Sequence, residues 1–435
     1  MFKRYQSYSG KQYVYDSETN SFFLLDKESN ERVPNKGESD ALAECYKEYR
    51  EAKSVDCIRH QPFNKRVPNI LSIEVTQQCN LRCDYCVYSG SYKYERKHNN
   101  QCMSEDTFSA LIAKLFSDKA NMPNYVGFYG GEPLLCIDRI NAFHDQIKKI
   151  NDGIQFQITT NGTMFTEGII ERLVKDNYHV TVSFDGLNHD LYRRTATGHP
   201  TASKIVQGLK NIREHSQGFF NNNLQLQITL APPYHLLEQA AFFNNHSIFK
   251  NIPLGVAFVN IYDTSFLQKR DGADRDLSTD FLALAHDLYH DYANNHFQKA
   301  FFQKHLDSIV YRSMDRIKNP LPRGNCEFFL HRGFIDVKGD VYPCERVGRL
   351  GCFGNVHEDT DFASRIKALH EEYDGLLKKH CRNCVISRFC GICSSRFREG
   401  DRYNAKRFME QCDAEQKWFD IVIPLFLSLK EKSLI

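Results

Sequence analysis

The sequence predicts an α/β fold in which six strands alternate with helices to form a partial parallel barrel. Between residues 70 and 260, short apolar runs alternate with stretches of helical periodicity, which is typical of right-handed βαβ units. Glycine and polar residues follow the predicted strands, and the 15 cysteines concentrate at 79–86 and 326–412. We therefore expect a partial (β/α)6 TIM-type barrel between a small N-terminal α+β segment and a cysteine-rich C-terminal region.

Composition bounds the possible functions. The chain has 435 residues, of which 41% are hydrophobic, enough for one large domain with attachments. A formal net charge of +2 gives no compositional case for nucleic acid or an anionic membrane as a partner. No apolar run approaches a membrane span, and the first residues lack the apolar region of a secretory signal. We expect a cytoplasmic protein whose cysteines serve metal or redox chemistry.

Three segments are predicted along the chain. Residues 1–66 form an N-terminal segment, residues 67–320 the barrel, and residues 321–435 the cysteine-rich domain. In the N-terminal segment the sequence predicts a hairpin over 11–16 and 21–26, a helix over 40–53 and a linker over 62–68.

The barrel elements follow from periodicity and from helix caps. Ser104 is the expected N-cap of the first helix, with Glu105 and Asp106 in its first turn. Helical periodicity also covers 279–317, with an interruption near Asn294. The predicted strands cover 70–75, 125–129, 154–160, 179–184, 224–230 and 253–259. The predicted helices between them cover 104–116, 137–150, 166–175, 201–215 and 235–245.

The residues that follow the predicted strands indicate where the functional site lies. Parallel barrels carry their active sites at the C-terminal ends of the strands. The first strand is followed by Cys79, the second by Gly130, the third by Asn161, and the fourth ends near Ser183. The topology therefore brings these residues to one rim of the barrel.

The loop after the first strand has the spacing C-x3-C-x2-C, formed by Cys79, Cys83 and Cys86, with Tyr85 before the last cysteine. Three thiolates this close suit three irons of a cubic cluster and leave the fourth iron open. The alternative is a zinc knuckle or three unrelated cysteines. Zinc sites are normally closed by a fourth Cys or His, so this alternative is disfavoured.

This motif at the end of a first strand resembles that of the radical S-adenosylmethionine (SAM) enzymes. The resemblance implies that the open iron binds the amino and carboxylate groups of SAM, whose reductive cleavage releases a 5′-deoxyadenosyl radical. The run Gly130, Gly131, Glu132 and Pro133 matches the family motif that binds the amino group of SAM. Glycine permits close approach of the backbone to a ligand, and Glu132 supplies a carboxylate for the ammonium.

Further SAM contacts are implied by the same resemblance. Asn161 and Ser183 are expected to contact the ribose or the carboxylate of SAM. Arg193 is expected to pair with the carboxylate of SAM, and the adjacent Arg194 is the alternative for this role. Adenine contacts are expected from Tyr85 and from a weak motif over 255–260 that includes Val259. An ordinary role in the barrel rim or core is the alternative for each of these residues.

The second group of cysteines resembles the SPASM extension of radical SAM enzymes, an iron–sulfur domain that carries two auxiliary [4Fe–4S] clusters. The resemblance assigns the outer cluster to Cys381, Cys384, Cys390 and Cys412. It assigns the inner cluster to Cys326, Cys344 and Cys393, with Cys352 as a possible fourth ligand. Without Cys352 the inner cluster keeps an open iron. A pair of zinc sites is the alternative. With the first site, three [4Fe–4S] clusters are expected.

The resemblance implies an enzyme that oxidatively modifies a ribosomally synthesised peptide by hydrogen-atom abstraction. We expect an intramolecular cross-link, with a thioether favoured over a C–C or C–O bond because the inner cluster is open without Cys352. A precursor peptide with a leader sequence is the expected partner, and ferredoxin or flavodoxin the expected electron donor. Residues 1–66 resemble a shortened leader-peptide recognition element, or alternatively cap the barrel.

Two other functions remain open at this point. One is an anaerobic sulfatase-maturing enzyme that generates formylglycine, which has no need of the extra N-terminal segment. The other is a non-catalytic zinc-binding protein. The general base is not identified by the sequence.

Overall fold

The computed structural model describes residues 1–17, 20–25, 67–118, 121–269, 272, 275–313, 328–359, 361–381 and 383–435. The helix predicted over 40–53, most of the predicted linker and Cys326 lie outside these residues. No helix within the described ranges is long and apolar enough to cross a membrane.

A nine-stranded sheet forms the centre of the molecule. Its strand order is β12-β11-β10-β4-β5-β6-β7-β8-β9, and all pairs from β10 through β4 to β9 are parallel. The six predicted barrel strands are confirmed as β4 Ile70–Thr76, β5 Tyr125–Gly130, β6 Gln155–Thr160, β7 His179–Ser183, β8 Leu224–Leu230 and β9 Leu254–Phe258.

The predicted helices of the barrel are also confirmed. Ser104 caps the first of them, and its hydroxyl accepts a hydrogen bond from the Thr107 amide (3.0 Å). The helices up to residue 313 are α1 Glu105–Leu115, α2 Ile137–Ile150, α3 Glu167–Lys175, α4 His189–Tyr192, α5 Ala202–His215, α6 Gln217–Asn223, α7 Leu236–Asn245, α8 Ser278–His290 and α9 His296–Ser313. The sequence did not predict α4 and α6, which are short.

The core lies between the sheet and these helices. Strand β4 is almost entirely buried, as expected for a parallel strand covered on both faces. Phe108 of α1 stacks on Phe143 of α2, with ring centroids 3.6 Å apart. This packing fixes β4 and β5, whose ends carry the first cysteine loop and the glycine pair.

The C-terminal region extends the barrel sheet. Strand β10 Arg332–Ile335 pairs in parallel with β4, followed by antiparallel β11 Asp340–Tyr342 and β12 Gly354–Asn355. The predicted three-segment division stays a prediction, but the sheet itself continues across residue 320. Beyond it lie α10 Phe362–Cys381, the two-stranded β13 Arg398–Glu399 and β14 Arg402–Tyr403, and α11 Ala405–Glu431.

The N-terminal residues form a separate antiparallel sheet. The predicted hairpin is confirmed as β2 Gln12–Asp16 and β3 Ser21–Leu24, and β1 Phe2–Gln6 adds an unpredicted strand beside β2. This sheet packs on α11, where the Tyr8 amide donates to Ser428 Oγ (2.8 Å) and Tyr13 Oη donates to Glu431 (2.9 Å).

Candidate functional site

The three cysteines of the first loop converge directly beyond β4. Cys83 is buried, and Cys79 and Cys86 are partly buried. Cys83 adds to the raised pKa of Cys79, and both Cys83 and Cys79 add to that of Cys86, which places the three sulfurs near one another. Burial is the larger cause and raises the pKa of Cys79 and Cys86 to about 12. A bound metal centre would reverse this effect, because metal binding displaces the thiol protons.

Hydrogen-bond donors surround these sulfurs. The Leu81 amide approaches Cys79 Sγ and the Tyr88 amide approaches Cys86 Sγ, each at 3.4 Å. Asn161 Nδ2 lies 3.9 Å from Cys79 Sγ. Such donors stabilise cluster thiolates, so the loop fits an iron–sulfur cluster. Within the described residues, no group of three or more His, Cys, Asp or Glu is placed to hold a single metal ion.

The glycine pair at the end of β5 packs against the cysteine loop. The Gly131 amide donates to the Thr76 carbonyl (2.9 Å), and the Glu132 amide donates to the Gln78 carbonyl (2.7 Å). A Cβ at Gly130 would overlap the Thr76 carbonyl oxygen, and one at Gly131 the Gln78 carbonyl oxygen. Only glycine therefore allows this approach, which holds the motif at 130–133 beside Cys79.

Glu132 is fully buried, and its carboxylate accepts hydrogen bonds from neighbouring residues of the barrel rim. These donors are Thr160 Oγ1 (2.7 Å) and the amides of Asn161 (2.7 Å) and Leu134 (3.1 Å). Burial raises the pKa of Glu132 to about 7, although these hydrogen bonds lower it. The carboxylate is thus fixed in position next to the proposed cluster.

Asp185 organises the neighbouring part of the rim, a role that the sequence did not indicate. Its carboxylate accepts hydrogen bonds from Arg193 Nε (2.8 Å), the Thr229 amide (2.8 Å) and the Tyr85 hydroxyl. Burial raises the pKa of Cys83, and Arg193, which hydrogen-bonds its sulfur, acts against this rise. The structure therefore brings Arg193 to the cysteine loop, but with Asp185 as its ion-pair partner.

Tyr85 and Val259 lie in one small apolar cluster with Tyr192, Ala231 and Phe266. The Tyr85 ring packs edge-on against Tyr192 and Phe266, with centroids 5.6 and 6.0 Å away. The expected adenine contacts of Tyr85 and Val259 stay predictions. Ser183 is the last residue of β7 and lies at the same end of the sheet.

The four cysteines predicted for the outer cluster come together from distant parts of the chain. Cys381 ends α10, Cys384 and Cys390 follow in a turn, and Cys412 lies in α11. Burial raises the pKa of Cys381 to about 12 and of Cys412 to about 11. Cys384 and Cys412 both add to the raised pKa of Cys390, and Cys384 to that of Cys412. The electrostatic coupling links all four thiols.

Two of the cysteines predicted for the inner cluster interact electrostatically with the same arginine. Cys344 and Cys393 both act on the guanidinium of Arg346 and raise its pKa. Cys352 is exposed, and its thiol donates to the Gly354 carbonyl (3.1 Å). Ligation by Cys352 stays a prediction, as does that by Cys326, which lies outside the described residues.

A clasp, defined as residues 94–96, joins the cysteine loop region to the Cys344 loop. The Arg349 amide donates to the Tyr94 carbonyl (3.0 Å), and Arg96 donates to the carbonyls of Val347 (3.3 Å) and Glu345 (3.4 Å). Arg96 is also 3.9 Å from the buried carboxylate of Glu74 on β4. Glu74 is a charged residue within an otherwise uncharged strand, and this is a sequence signal for the contact.

A cavity of about 40 Å³ lies where the clasp meets the barrel rim and the C-terminal region. Its lining includes Asn260, which follows β9, and Arg346 of the Cys344 loop. Glu95 also lines it, and within the described residues no hydrogen bond to its carboxylate is found. Burial raises the pKa of Glu95 to about 7, against the lowering effect of Arg96 and Arg349. This carboxyl group is thus poised to exchange a proton near neutral pH.

Comparison with known proteins identifies the barrel. Residues 73–226 match the model of the radical SAM superfamily. These residues contain the cysteine loop, the glycine motif, Asn161, Ser183 and Arg193. The match favours a catalytic radical SAM domain over the alternative of a non-catalytic zinc-binding protein.

Curated relatives match over most of the chain. A serine-type anaerobic sulfatase-maturating enzyme of Bacteroides thetaiotaomicron is 25% identical, over 86% of this chain and 93% of the relative. The radical SAM cyclopropyl synthase TigE of Paramaledivibacter caminithermalis is 27% identical, over 74% of this chain and 67% of the relative.

Solved structures share the fold. Native anSMEcpe with bound AdoMet and the Cp18Cys peptide superposes with a TM-score of 0.59, over 84% of this chain and 99% of that chain, at 18% identity. This likeness supports the architecture of a radical SAM partial barrel with a cysteine-rich C-terminal region.

Proposed function

We propose that this chain, which is a radical SAM enzyme, oxidatively modifies a peptide or protein side chain. The observation that carries the proposal is the contact between the two cysteine regions: β10 extends the barrel sheet beside β4, and the clasp holds the Cys344 loop over the barrel rim. A substrate bound between the barrel rim and the Cys344 loop would therefore lie between a SAM site and an electron acceptor. Relatives that mature sulfatases or make a cyclopropyl group support this class of reaction.

The proposed cofactor set is SAM with three [4Fe–4S] clusters. Cys79, Cys83 and Cys86 would hold the first cluster, and the C-terminal cysteines two auxiliary clusters. When bound, this set supplies hydrogen-atom abstraction and accepts one electron from the substrate. The protein residues 130–133 would orient SAM through the backbone and through Glu132.

Glu95 is the proposed proton acceptor. An oxidation that removes a hydrogen atom and an electron from a substrate carbon also removes a proton from the substrate thiol or hydroxyl. Glu95 lies in the cavity between the rim and the Cys344 loop, and its carboxylate is without a hydrogen-bond donor among the described residues. The charged groups that act on its pKa are Arg96 and Arg349, which lower it, and Asp263, which raises it.

A pH profile tests Glu95. The raised pKa of about 7 means that the carboxyl group is protonated below this pH and a base above it. We expect product formation to rise from pH 6 to pH 8 in the native enzyme, and to fall at least about tenfold and lose this rise in Glu95→Gln. Deoxyadenosine formation is expected to persist. The exposed Glu171→Gln is the control, and a native-like profile in Glu95→Gln would exclude the role.

The proposed product is an intramolecular thioether in a precursor peptide with a leader sequence. The thiol of Cys352 is exposed and donates a hydrogen bond to the Gly354 carbonyl. This supports an inner cluster that lacks Cys352 as a ligand and therefore has an open iron. An open iron suits a substrate thiolate, whereas a C–C or C–O cross-link has no need of one. Ferredoxin or flavodoxin is the proposed electron donor.

Formylglycine formation on a sulfatase is the second candidate function, because sulfatase-maturating relatives match over 81–86% of the chain. The two functions separate in one assay. The anaerobic enzyme is given SAM, a reductant and either a sulfatase-derived Ser or Cys peptide or a short peptide encoded beside the gene. A thioether lowers the substrate mass by two hydrogens without a carbonyl; formylglycine gives an aldehyde that hydrazide reagents capture. Deoxyadenosine without modification of either peptide would contradict both.

A further inference from the structure

One face of the N-terminal sheet is directed at the outer cysteine site. Lys3 and Tyr5 alternate along β1, and Lys3 is paired with Tyr15 of β2, so the three side chains share one face. All three interact electrostatically with Cys384: the tyrosines have their pKa raised by it, and Lys3 lowers the pKa of Cys384. This face is therefore turned towards Cys384.

Packing holds the sheet in this place. The Tyr15 ring lies 4.9 Å from that of Phe389, next to Cys390, and the Phe22 ring stacks on the same side chain at 5.9 Å. Arg388 Nε donates to the Ser17 carbonyl (2.6 Å). The contacts all involve the turn between Cys384 and Cys390, so the sheet is attached to the ligand loop itself.

The Tyr5 hydroxyl is the unusual atom at this contact. Tyr5 is only 5% exposed, and its Oη has no hydrogen-bond partner within the described part of the chain. Burial raises the pKa of Tyr5 further, and Asp420 and Cys384 add to this rise, so the hydroxyl keeps its proton. The Asp420 carboxylate is already paired with Lys3. A buried donor without a partner calls for an acceptor, and the outer cysteine site lies beside it.

We propose that the N-terminal sheet forms a wall of the outer cluster site and that Tyr5 Oη donates a hydrogen bond to a sulfur there. The inference rests on the outer cluster proposed above and is independent of the substrate. A hydrogen bond to sulfur and the charge of Lys3 both favour the more negative, reduced cluster, and exclusion of water by the sheet adds to the control of its potential. Tyr5 is a positioning residue with no contact to substrate.

The test is a potentiometric titration of the anaerobic holoenzyme, followed by electron paramagnetic resonance. The signal that is absent from Cys412→Ala identifies the outer cluster. We expect Tyr5→Phe, which keeps the ring and removes the donor, to shift the midpoint of this signal to a more negative potential. The other cluster signals and the iron content are expected to stay the same.

Tyr13→Phe is the matched control. Tyr13 is paired with Tyr5 across strands β1 and β2, but its hydroxyl donates a hydrogen bond to Glu431. It is expected to leave the midpoint unchanged. An unshifted midpoint in Tyr5→Phe, or equal shifts in both variants, would overturn the inference. If Cys412→Ala loses no iron and no signal, the outer cluster itself is absent; that result would overturn the inference while leaving peptide modification open.

Discussion

The first cysteine loop and the outer cysteine site are built in opposite ways. The three cysteines predicted as ligands in the first loop lie within eight consecutive residues, 79–86, beyond the end of a buried parallel strand. The cysteines predicted for the outer site come from the end of α10, a turn and the N-terminal third of α11, and a sheet from the other end of the chain packs on that turn. One site is local in sequence and rigidly supported; the other exists only when distant segments have packed.

This difference indicates a division of tasks. The glycine motif on β5 is hydrogen-bonded to the cysteine loop on β4, so the parts that would bind SAM share one rigid edge. The outer site has no such sheet edge: Cys381 and Cys390 are buried, and the turn between Cys384 and Cys390 packs against the N-terminal sheet through Phe389. We expect the rigid edge to serve SAM cleavage, and the outer site, where hydrogen bonds and solvent exposure set the cluster potential, to serve electron transfer.

The largest effect is expected from the first loop. Cys83→Ala removes a ligand that no other residue replaces, so deoxyadenosine formation should fall to background, while about eight of twelve irons per chain remain at the C-terminal sites. Iron analysis and chromatographic detection of deoxyadenosine measure the two quantities. Cys136→Ala, whose thiol lies 3.4 Å from Cys102 and outside both sites, should behave as native. Reductive cleavage that persists in Cys83→Ala contradicts the assignment.

Gly131→Ala tests the rigid edge without touching a cysteine. The added Cβ would overlap the Gln78 carbonyl, so SAM binding should weaken by about tenfold or more, a loss of about 1.4 kcal/mol. Equilibrium dialysis with SAM measures it. Gly168→Ala is the control, because a Cβ there meets nothing within 4 Å; this helix substitution should stabilise by about 0.5–1 kcal/mol. Equal SAM affinity in both variants would show that SAM binding does not depend on the close packing of Gly131 against the cysteine loop.

Cys412→Ala separates the two sites functionally. We expect the loss of about four irons per chain and of product, with deoxyadenosine formation kept within about twofold of native. The reason is that SAM cleavage depends on the first loop, whereas substrate oxidation depends on the auxiliary site. A parallel loss of both activities would show that the sites are not separable.

The smallest effect is expected from Cys352→Ala. Its exposed thiol donates a hydrogen bond to a backbone carbonyl. Because we expect no iron ligation by this thiol, the iron content should stay the same within the error of a colorimetric assay. Cys344→Ala provides the comparison, since it should lose the inner cluster. Iron loss in Cys352→Ala would show that Cys352 is the fourth ligand of the inner cluster. That result would remove the support for a thioether product.

The sequence by itself determined the parts that depend on local pattern. Alternating strands and helices, the Ser104 cap and the spacing of Cys79, Cys83 and Cys86 all follow from interactions within a few residues. Parallel topology then placed Gly130–Gly131, Asn161 and Ser183 on the same rim, because strand ends must coincide there.

Only the tertiary structure decided the long-range partners. It paired Arg193 with Asp185, placed β10 beside β4, set Glu95 in a cavity against the Cys344 loop, and packed the N-terminal sheet on Phe389, next to Cys390. These contacts join residues up to hundreds of positions apart. No propensity or periodicity specifies them, because their energy comes from the burial and pairing that arise once the chain has folded.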